Sequence, residues 1–481
     1  MSEINLGGKP FHFIGIGGIG MSALAHIVAK RDLPVSGSDI RSSHITERLE
    51  SYGARIFTSQ TAENIAQITD SADLMQGLVK SENNYPQIIC STAINESNPE
   101  YKEAKDRGYT IYHRSDLLAA LINDYQSVAV AGTHGKTTTS SLISYLLFYA
   151  GLDPTVIIGG EVNAWQGNAR LGESPYLVAE ADESDGSLVK HHPHFGIITN
   201  IELDHPDHYE SLDQLVGIFQ QFASQTKVVV ACADCPVVAD TINADITYSL
   251  NPQSDANYIA TDIVHGAYGS EADIWENGIL LGRITLQLSG DHNISNALSA
   301  IAIGRELGLD FATIAMGLAK FEGAKRRFEF KGTYQGATLI DDYAHHPSEI
   351  TCTLQAGKSR LPQYNAKRLV AIFQPHRYSR TATFLEEFAQ CFDQADVVIV
   401  TDIYSAGEVN NTDINSQIVV DTIKKYHDRV YYQPDLSKLP EFLADFLTSE
   451  DLTLFLGAGN LNQTIPQLVK FNEQKTLAQV A

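Results

Sequence analysis

The sequence predicts an α/β protein of about three domains that are built on parallel sheets. The chain of 481 residues is too long for a single core, because a domain usually takes about 150 residues. Apolar runs of strand length alternate with helical patterns along the chain, which is typical of parallel sheets. Three blocks each open with a strand and a loop suited to a ligand, and they divide the chain into residues 1–124, 125–327 and 328–481.

Composition and charge narrow the possible functions. Hydrophobic residues make up 43% and charged residues 19% of the chain, as in ordinary globular enzymes. The net charge is −24, from 34 basic and 58 acidic residues, and without a basic stripe we expect no nucleic-acid partner. No apolar stretch reaches the ~18 residues of a membrane span, and no cleavable leader is visible, so we expect a cytoplasmic protein without a membrane partner.

The five cysteines are sparse and odd in number, which favours a reducing compartment. Cys232 and Cys235 have the spacing of zinc ligands. No second pair accompanies them, so we interpret this stretch as a loop after a strand.

The first glycine loop follows the strand FHFI. Gly15, Gly17 and Gly20 form G-x-G-x-x-G, and Asp39 lies at the end of the next strand. This spacing is typical of dinucleotide sites, where a helix N-terminus holds a pyrophosphate and the acid holds a ribose. A glycine turn needed only for tight packing, or a loop for another diphosphate such as a UDP-sugar, would look the same.

The second glycine loop lies in VAVAGTHGKTTT, residues 128–139. The standard phosphate loop has glycine five residues before Gly135, but Val130 stands there and the nearest glycine is Gly132. Two glycines still free the backbone to surround a phosphate. Lys136 at the start of the next helix would reach the β- and γ-phosphates, and the Thr137 hydroxyl would bind Mg²⁺.

Two further strands end in possible metal ligands. The first is followed by the acidic residues Glu180, Asp182, Glu183 and Asp185. The second is followed by Asn200, Glu202, Asp204 and His205. A solvated acidic loop would explain the first group alone. Two such strand ends beside a phosphate loop favour metal-assisted phosphoryl transfer.

Seven motifs occur in the order found in the Mur ligases of peptidoglycan synthesis, and the resemblance covers essentially the whole chain. They are GTHGKTTT, AEADESDGS, TNIELDH, GDHNISNA, DDYAHHPSE, HRYSRT and GAGN. The resemblance implies a Rossmann-like N-terminal domain, a central parallel-sheet domain of the P-loop ATPase type and a Rossmann-like C-terminal domain. It also implies ATP and Mg²⁺ as cofactors.

The resemblance assigns roles to particular residues. The UDP part of the substrate would contact Gly15, Gly17, Gly18, Gly20 and Ser91. ATP would contact Gly132, Thr133, His134, Gly135, Lys136, Thr137, Thr138, Asn293, Asn296, Arg327 and Asp342. The metal would be held by Thr137, Glu180 and His205. The incoming amino acid and the acyl phosphate would face Tyr343, His345, His376, Arg377 and Arg380. Of all these, the catalytic residues would be Lys136, Glu180, His205, Arg377 and Arg380.

The implied reaction is ATP-dependent and joins L-alanine to the lactoyl carboxylate of UDP-N-acetylmuramate through an acyl phosphate. The muropeptide-recycling branch of the same family is an alternative, although we do not expect HRYSRT in it. An NAD-dependent dehydrogenase and a non-catalytic nucleotide switch are alternatives of other classes. The stretch 71–87 reads as extra sequence, Ala344 stands where many members have glycine, and Phe219 stands where several carry a modified lysine. The sequence leaves the oligomeric state open.

Overall fold

The computed structural model of the protein describes residues 4–70, 85–206, 208–266 and 268–470. Most of the stretch read as extra sequence, residues 71–84, lies outside the described residues. The described chain forms three separate sheets in sequence order, of five, ten and six strands. This confirms the predicted three-domain α/β fold.

The N-terminal domain is a parallel sheet with the strand order β3-β2-β1-β4-β5. Its strands are β1 (Phe11–Ile14), β2 (Val35–Ser38), β3 (Arg55–Phe57), β4 (Gln87–Cys90) and β5 (Ile111–His113). Its helices are α1 (Ile19–Lys30), α2 (His44–Ser51), α3 (Ala62–Asp70), α4 (Pro99–Asp106) and α5 (Arg114–Asp124). The first glycine loop joins β1 to α1, as predicted for a Rossmann-like unit.

The central domain is a ten-stranded sheet in the order β15-β14-β13-β12-β11-β10-β6-β9-β7-β8. Its strands are β6 (Gln126–Ala131), β7 (Thr155–Val162), β8 (Gly167–Arg170), β9 (Tyr176–Glu180), β10 (Phe195–Ile198), β11 (Val228–Cys232), β12 (Ile246–Ser249), β13 (Tyr258–Gly266), β14 (Gly269–Glu276) and β15 (Ile279–Leu286). Its helices are α6 (Lys136–Tyr149), α7 (Leu212–Gln225), α8 (Pro236–Thr241), α9 (Asp291–Glu306) and α10 (Phe311–Lys320).

The central sheet is parallel only in its middle. The pairs β7–β8, β13–β14 and β14–β15 are antiparallel, which the prediction of a parallel sheet did not include. The middle strand β6 is apolar and buried on both faces, with Val128 to Ala131 fully inaccessible, as expected of a parallel strand covered by helices.

The C-terminal domain is a six-stranded sheet in the order β16-β17-β21-β18-β19-β20, with β16 antiparallel to β17. Its strands are β16 (Glu329–Tyr334), β17 (Ala337–Asp342), β18 (Arg368–Phe373), β19 (Val397–Val400), β20 (Val430–Tyr432) and β21 (Asp451–Leu456). Its helices are α11 (Pro347–Arg360), α12 (Tyr378–Thr383), α13 (Leu385–Gln390), α14 (Ser416–Ile423) and α15 (Leu439–Phe446).

The N-terminal and central domains pack closely. One cluster of buried apolar side chains extends from Phe11 in β1 to Phe219 and Phe222 in α7. Helix α1 lies against the β7–β8 pair, and the Asn168 amide donates to the Ile19 carbonyl across this contact (2.6 Å). None of the helices in the described ranges is long and apolar enough to span a membrane.

A buried polar network fixes the elements of the N-terminal domain. The Glu100 carboxylate in α4 is inaccessible to solvent and lies 2.7 Å from His12 Nε2. It accepts hydrogen bonds from the Ser38 hydroxyl (2.5 Å) and the Asn64 amide (3.1 Å). These partners come from β1, β2 and α3, so one carboxylate connects four elements.

We expect Glu100→Ala to lower the free energy of unfolding by about 3–5 kcal/mol, because it leaves buried partners unpaired. Urea unfolding followed by circular dichroism measures this. The matched control is Glu96→Ala, since Glu96 is 74% exposed and its one ion-pair partner in the described part of the chain is Lys105, and its unfolding midpoint should not move. Equal midpoints for the two variants would contradict the role given to Glu100.

Candidate active site

The second glycine loop connects β6 to α6 and has the geometry of a phosphate cradle. Gly132 and Gly135 have φ angles of 137° and 81°, which side chains other than glycine rarely adopt. A Cβ at Gly132 would lie 2.0 Å from Thr199 Oγ1, and one at Gly135 would lie 2.9 Å from Asn296 Oδ1. The shorter loop therefore has glycine at the two positions that require it.

Lys136 is the first residue of α6 and is largely buried. Its ammonium donates to the carbonyls of Gly132 (2.7 Å) and Thr133 (3.1 Å). It also pairs with the Glu183 carboxylate at 2.9 Å, and that carboxylate is 1% exposed. Burial alone would lower the pKa of Lys136, but Glu183 and then Asp182 hold that pKa above its ordinary value. A fixed positive charge thus lies directly under the loop.

Two groups of oxygen and nitrogen ligands surround this lysine. The Thr137 hydroxyl donates to Glu180 Oε1 (3.1 Å). His205 instead lies beside Asp182 and Glu183, and one ligand atom from each of the three falls within 4.8 Å of the others. Of the three predicted metal ligands, Thr137 and Glu180 therefore belong to one group, and His205 belongs to the adjacent one. Carboxylate and hydroxyl oxygens fit Mg²⁺.

His134 in the loop is held between two carboxylates of different domains. Its Nε2 lies 2.9 Å from Glu202, and its Nδ1 lies 3.4 Å from Glu349 in α11. Burial alone would lower the pKa of His134, but hydrogen bonds to these carboxylates raise it to about 9. Glu202 also accepts from the Ser348 hydroxyl (2.8 Å). The phosphate loop is thereby connected to the C-terminal domain.

Two of the residues predicted to bind the nucleotide, Asn296 and Arg327, lie beside the phosphate loop. Asn296 lies against Gly135 and close to Asn293 (3.5 Å between Nδ2 and Oδ1) in the first turns of α9. The Arg327 guanidinium lies 3.4 Å from the Thr137 hydroxyl, and Thr138 follows in α6.

Asp342 takes a different position from these residues. Its carboxylate accepts from the backbone N–H groups of Phe328 (2.7 Å) and Ala344 (2.8 Å). Among the described residues, those that line the cavity include its neighbour Asp341 but not Asp342.

Only part of the group that was predicted to face the incoming amino acid lines the cavity. Tyr343 and His345 line the cavity, and their rings meet edge to face at 5.2 Å. His376 stacks on Tyr404 at 5.7 Å, and Arg377 is the N-cap residue before α12, with a φ angle of 66°.

Arg380 is buried and paired across the domain interface. Its Nε and Nη2 donate to the two Asp204 oxygens at 2.9 and 3.1 Å. Both side chains are at most 5% exposed. Burial alone would raise the pKa of Asp204, but Arg380 holds that pKa well below its usual range. Asp204 directly precedes the predicted metal ligand His205. This pair therefore holds the C-terminal domain beside the candidate metal ligands.

The first glycine loop lies across the cavity from the second. Gly18, Gly20 and Ser91 line the cavity. Gly15 has a φ angle of 82°, and the Gly17 N–H donates to Asp39 Oδ2 (2.9 Å). Asp39 is therefore engaged by the loop's own backbone, which weakens its assignment to a ribose.

These elements enclose a cavity of about 820 Å³ with walls from all three domains. The predicted site residues among its lining are Gly18, Gly20, Ser91, Thr133, Gly135, Lys136, Thr137, Glu180, His205, Arg327, Tyr343 and His345. The lining also contains Asp182 and Asp204, which the sequence analysis named among the possible metal ligands, and four groups that it gave no role, namely Arg114, Arg326, Asp341 and Glu349. Of these four, Glu349 had a local signal, since it closes a capping box with His346 at the start of α11.

The CADC stretch forms no metal site among the described residues. The Cys232 thiol lies 3.8 Å from the Ser295 hydroxyl, and the Cys235 thiol lies 4.0 Å from the Ile201 carbonyl. The groups that the described chain offers to a metal contain no cysteine.

Comparison with known proteins matches family models along most of the chain. The Mur ligase family catalytic domain matches residues 10–126, the Mur ligase middle domain residues 130–304, and the Mur ligase glutamate ligase domain residues 326–459.

Individual relatives match over their full length. The UDP-N-acetylmuramate-L-alanine ligase of Gloeothece citriformis is 58% identical over 98% of this chain and 99% of its own. The enzyme of the same name from Microcystis aeruginosa is 56% identical over 100% of this chain and 99% of its own. Among solved structures, the UDP-N-acetylmuramate-alanine ligase of Thermotoga maritima superposes with a TM-score of 0.79, at 28% identity, covering 97% of this chain and 99% of that one.

We expect Arg380→Gln to separate the C-terminal domain from the central domain. Loss of one partner leaves Asp204 buried and unpaired, at a cost of about 3–5 kcal/mol to the closed arrangement. Small-angle X-ray scattering should show a larger radius of gyration. Lys425→Gln is the control, because the Lys425–Glu386 pair at 3.9 Å is exposed within the C-terminal domain. An unchanged radius of gyration for Arg380→Gln would contradict the role given to the Arg380–Asp204 pair.

Proposed function

The chain belongs to the Mur ligase family, and we propose that it joins L-alanine to the lactoyl carboxylate of UDP-N-acetylmuramate with conversion of ATP to ADP and phosphate. The observation that carries the proposal is the end-to-end similarity, at 58% identity, to a UDP-N-acetylmuramate-L-alanine ligase. Such a reaction belongs to cytoplasmic synthesis of peptidoglycan precursors, and through it to cell-wall growth, cell shape and cell division.

The three-domain cavity suits a reaction with three substrates. The UDP part would lie at Gly18, Gly20 and Ser91, on the N-terminal wall of the cavity. ATP would lie at residues 132–138, and the amino acid would enter from the C-terminal wall. A helix N-terminus behind each glycine loop would favour the diphosphate and the triphosphate, since it carries roughly half a positive charge.

Binding of ATP would change the partners of Lys136. In the described structure its ammonium is occupied by Glu183 and two loop carbonyls. A triphosphate in the cradle would compete for this ammonium, and Arg327 would approach the same phosphates from beside Thr137. Mg²⁺, held by Thr137 and Glu180 or by His205 with Asp182 and Glu183, would neutralise phosphate charge when bound.

The first chemical step brings two anions together. An oxygen of the lactoyl carboxylate attacks the γ-phosphorus of ATP, the bond to the β–γ bridging oxygen breaks, and ADP leaves. Repulsion between carboxylate and triphosphate is costly unless nearby cations offset it. Lys136 and Arg327 supply that charge, and the loop holds the phosphorus in line with the carboxylate.

The second step forms the amide. The neutral amine of L-alanine attacks the carbonyl carbon of the acyl phosphate, the nitrogen loses a proton, and inorganic phosphate leaves. The acyl phosphate is prone to hydrolysis, so the C-terminal domain must cover the cavity and exclude water. The contacts of Arg380 with Asp204 and of Glu349 with His134 would keep it there.

The alternative interpretations have less support. For a dehydrogenase, Asp39 would need to face a ribose, but it accepts from the Gly17 N–H. A nucleotide switch would have no use for the polar C-terminal wall that faces the phosphate loop. A muropeptide-recycling ligase would accept a peptide in place of L-alanine, and the relatives at 56–58% identity carry the alanine-ligase name.

The direct test is phosphate release from ATP with Mg²⁺ and UDP-N-acetylmuramate, with and without L-alanine. We expect release to depend on both substrates and mass spectrometry to detect the amide. The L-alanyl-γ-D-glutamyl-diaminopimelate tripeptide in place of L-alanine tests the recycling branch. Release with the tripeptide but not with L-alanine would contradict the proposal.

We expect Lys136→Ala to reduce ATP turnover by about 10²–10³-fold or more, as with the loss of other charge-stabilising donors. Binding of UDP-N-acetylmuramate, measured by calorimetry, should stay within about twofold of the wild type. Lys320→Ala serves as the control, because Lys320 is exposed and contacts only the Tyr149 ring among the contacts described. If a folded Lys136→Ala protein no longer binds the UDP-sugar, the assignment of ATP to the second glycine loop and of the UDP-sugar to the first is wrong.

A further inference from the structure

A second cleft lies between the N-terminal and central domains, apart from the three-domain cavity. Helix α1 and the C-terminal end of α2 form one wall, and β8 with residues 171–173 forms the other. The cleft encloses about 330 Å³, and none of its lining residues also lines the larger cavity. Ligand pockets in proteins range from roughly 300 Å³ upward. The cleft is therefore large enough to hold a small molecule.

Basic groups dominate the lining of this cleft. They are His26, Lys30, Arg48 and Arg170. Glu173 is the one acidic residue of the lining, and it is exposed. Asp153 pairs with Arg170 and neutralises it. No carboxylate of the described residues forms an ion pair with Lys30 or Arg48, so the cleft contains two uncompensated positive charges in a chain that is strongly acidic overall.

Arg48 is fixed in place by groups that leave its charge uncompensated. Its Nε donates to the Tyr52 hydroxyl (2.9 Å), and its Nη1 and Nη2 donate to the carbonyls of Gln166 and Trp165. A Cβ at Gly167 would lie 2.5 Å from Nη1, so any other residue there would displace the guanidinium. Three of the five guanidinium N–H groups are thereby used, and two remain for a ligand.

The Tyr52 ring brings two further basic groups to the same place. The Lys30 ammonium lies 4.0 Å from the centroid of this ring, and the His26 ring meets it edge to face at 4.9 Å. His26 is only 8% exposed. Its ring nitrogens form no hydrogen bond with the described residues, yet they are not among the polar atoms sealed from solvent. Because buried polar groups are usually paired, His26 indicates a ligand in the cleft.

The protonation state of His26 is consistent with this interpretation. Burial, followed by the charges of Arg48 and Lys30, lowers the pKa of its imidazole to about 4. The ring is therefore neutral at physiological pH and donates one hydrogen bond without adding charge. The positive charge of the cleft comes from Lys30 and Arg48.

We propose that this cleft binds the phosphate group of a small anionic metabolite, with Arg48, Lys30 and His26 as its donors. A phosphate monoester carries about −1.5 to −2 charges at neutral pH and has three acceptor oxygens. Its charge matches the two uncompensated cations, whereas a single carboxylate would leave one of them unpaired. None of these three residues belongs to the candidate active site.

The position of the cleft gives the ligand a structural effect. His26 and Lys30 lie in α1 and Arg48 lies in α2, while the two carbonyls that hold Arg48 belong to the central domain. A bound phosphate group would therefore stabilise the contact between the N-terminal and central domains. A ligand that binds only the folded state also raises its free energy of unfolding.

The test is binding of radiolabelled inorganic phosphate, measured by equilibrium dialysis. A non-hydrolysable ATP analogue and Mg²⁺ are present at saturation, so that the phosphate loop is occupied. We expect the wild type to bind phosphate and Arg48→Gln to bind it about 10- to 100-fold more weakly, the usual effect of losing a charged hydrogen bond. Arg429→Gln is the control, because Arg429 is exposed in the C-terminal domain and forms no ion pair with the described residues. Its affinity for phosphate should equal that of the wild type.

The position of the ion is tested in crystals. Soaking with tungstate, which has the shape and charge of phosphate, should give an anomalous peak within hydrogen-bond distance of Arg48 and His26. A peak only at the two glycine loops would overturn the proposal.

Two solution results would also overturn it. In the first, the wild type binds no phosphate once the nucleotide analogue is present. In the second, folded Arg48→Gln binds phosphate as the wild type does. Lys30→Gln gives the same readout should Arg48→Gln not fold, since the Lys30 side chain is exposed. If malonate, a dicarboxylate of equal charge, displaced phosphate at equal concentration, the assignment of the cleft to a phosphate group would be wrong.

Discussion

The candidate active site depends on one buried positive charge, the Lys136 ammonium under the phosphate loop. In a chain of net charge −24, an anionic ligand binds only where cations are fixed locally, because charges more than ~8 Å apart are screened at physiological salt. Glu183 and the loop carbonyls hold this ammonium in place before any nucleotide arrives. A phosphate entering the cradle therefore exchanges with a carboxylate that is already there.

The second constraint is the junction between the central and C-terminal domains. Asp204 and Arg380 form a buried bidentate pair, and His134 is shared by Glu202 and Glu349. One contact starts from His134 in the phosphate loop, and the other starts from Asp204, next to the candidate metal ligand His205. Docking of the C-terminal domain and the geometry of the phosphate loop are thus physically coupled, as the proposed reaction through a water-sensitive intermediate would require.

Much of the fold and part of the site followed from local sequence signals. The Gly132–Thr138 loop was predictable because glycine spacing and the apolar strand before it are local features, and Glu180 followed because parallel strands end at one edge. Long-range pairing was not predictable. Arg380 meets Asp204 across 176 residues, Asp39 turns to Gly17, and no period of the sequence decides which of Asp341 and Asp342 faces the cavity. The antiparallel strands β13 to β15 were likewise absent from the predicted central sheet.

The most direct measurement is a crystal structure with Mg²⁺ and a non-hydrolysable ATP analogue. We expect residues 132–138 to wrap the triphosphate, the Lys136 ammonium to move from Glu183 onto phosphate oxygens, and the metal to lie within reach of Thr137, Glu180 or His205. Two results would contradict this expectation. The nucleotide could bind at the Gly15–Gly20 loop, or residues 132–138 could hold no ligand while Lys136 still pairs with Glu183.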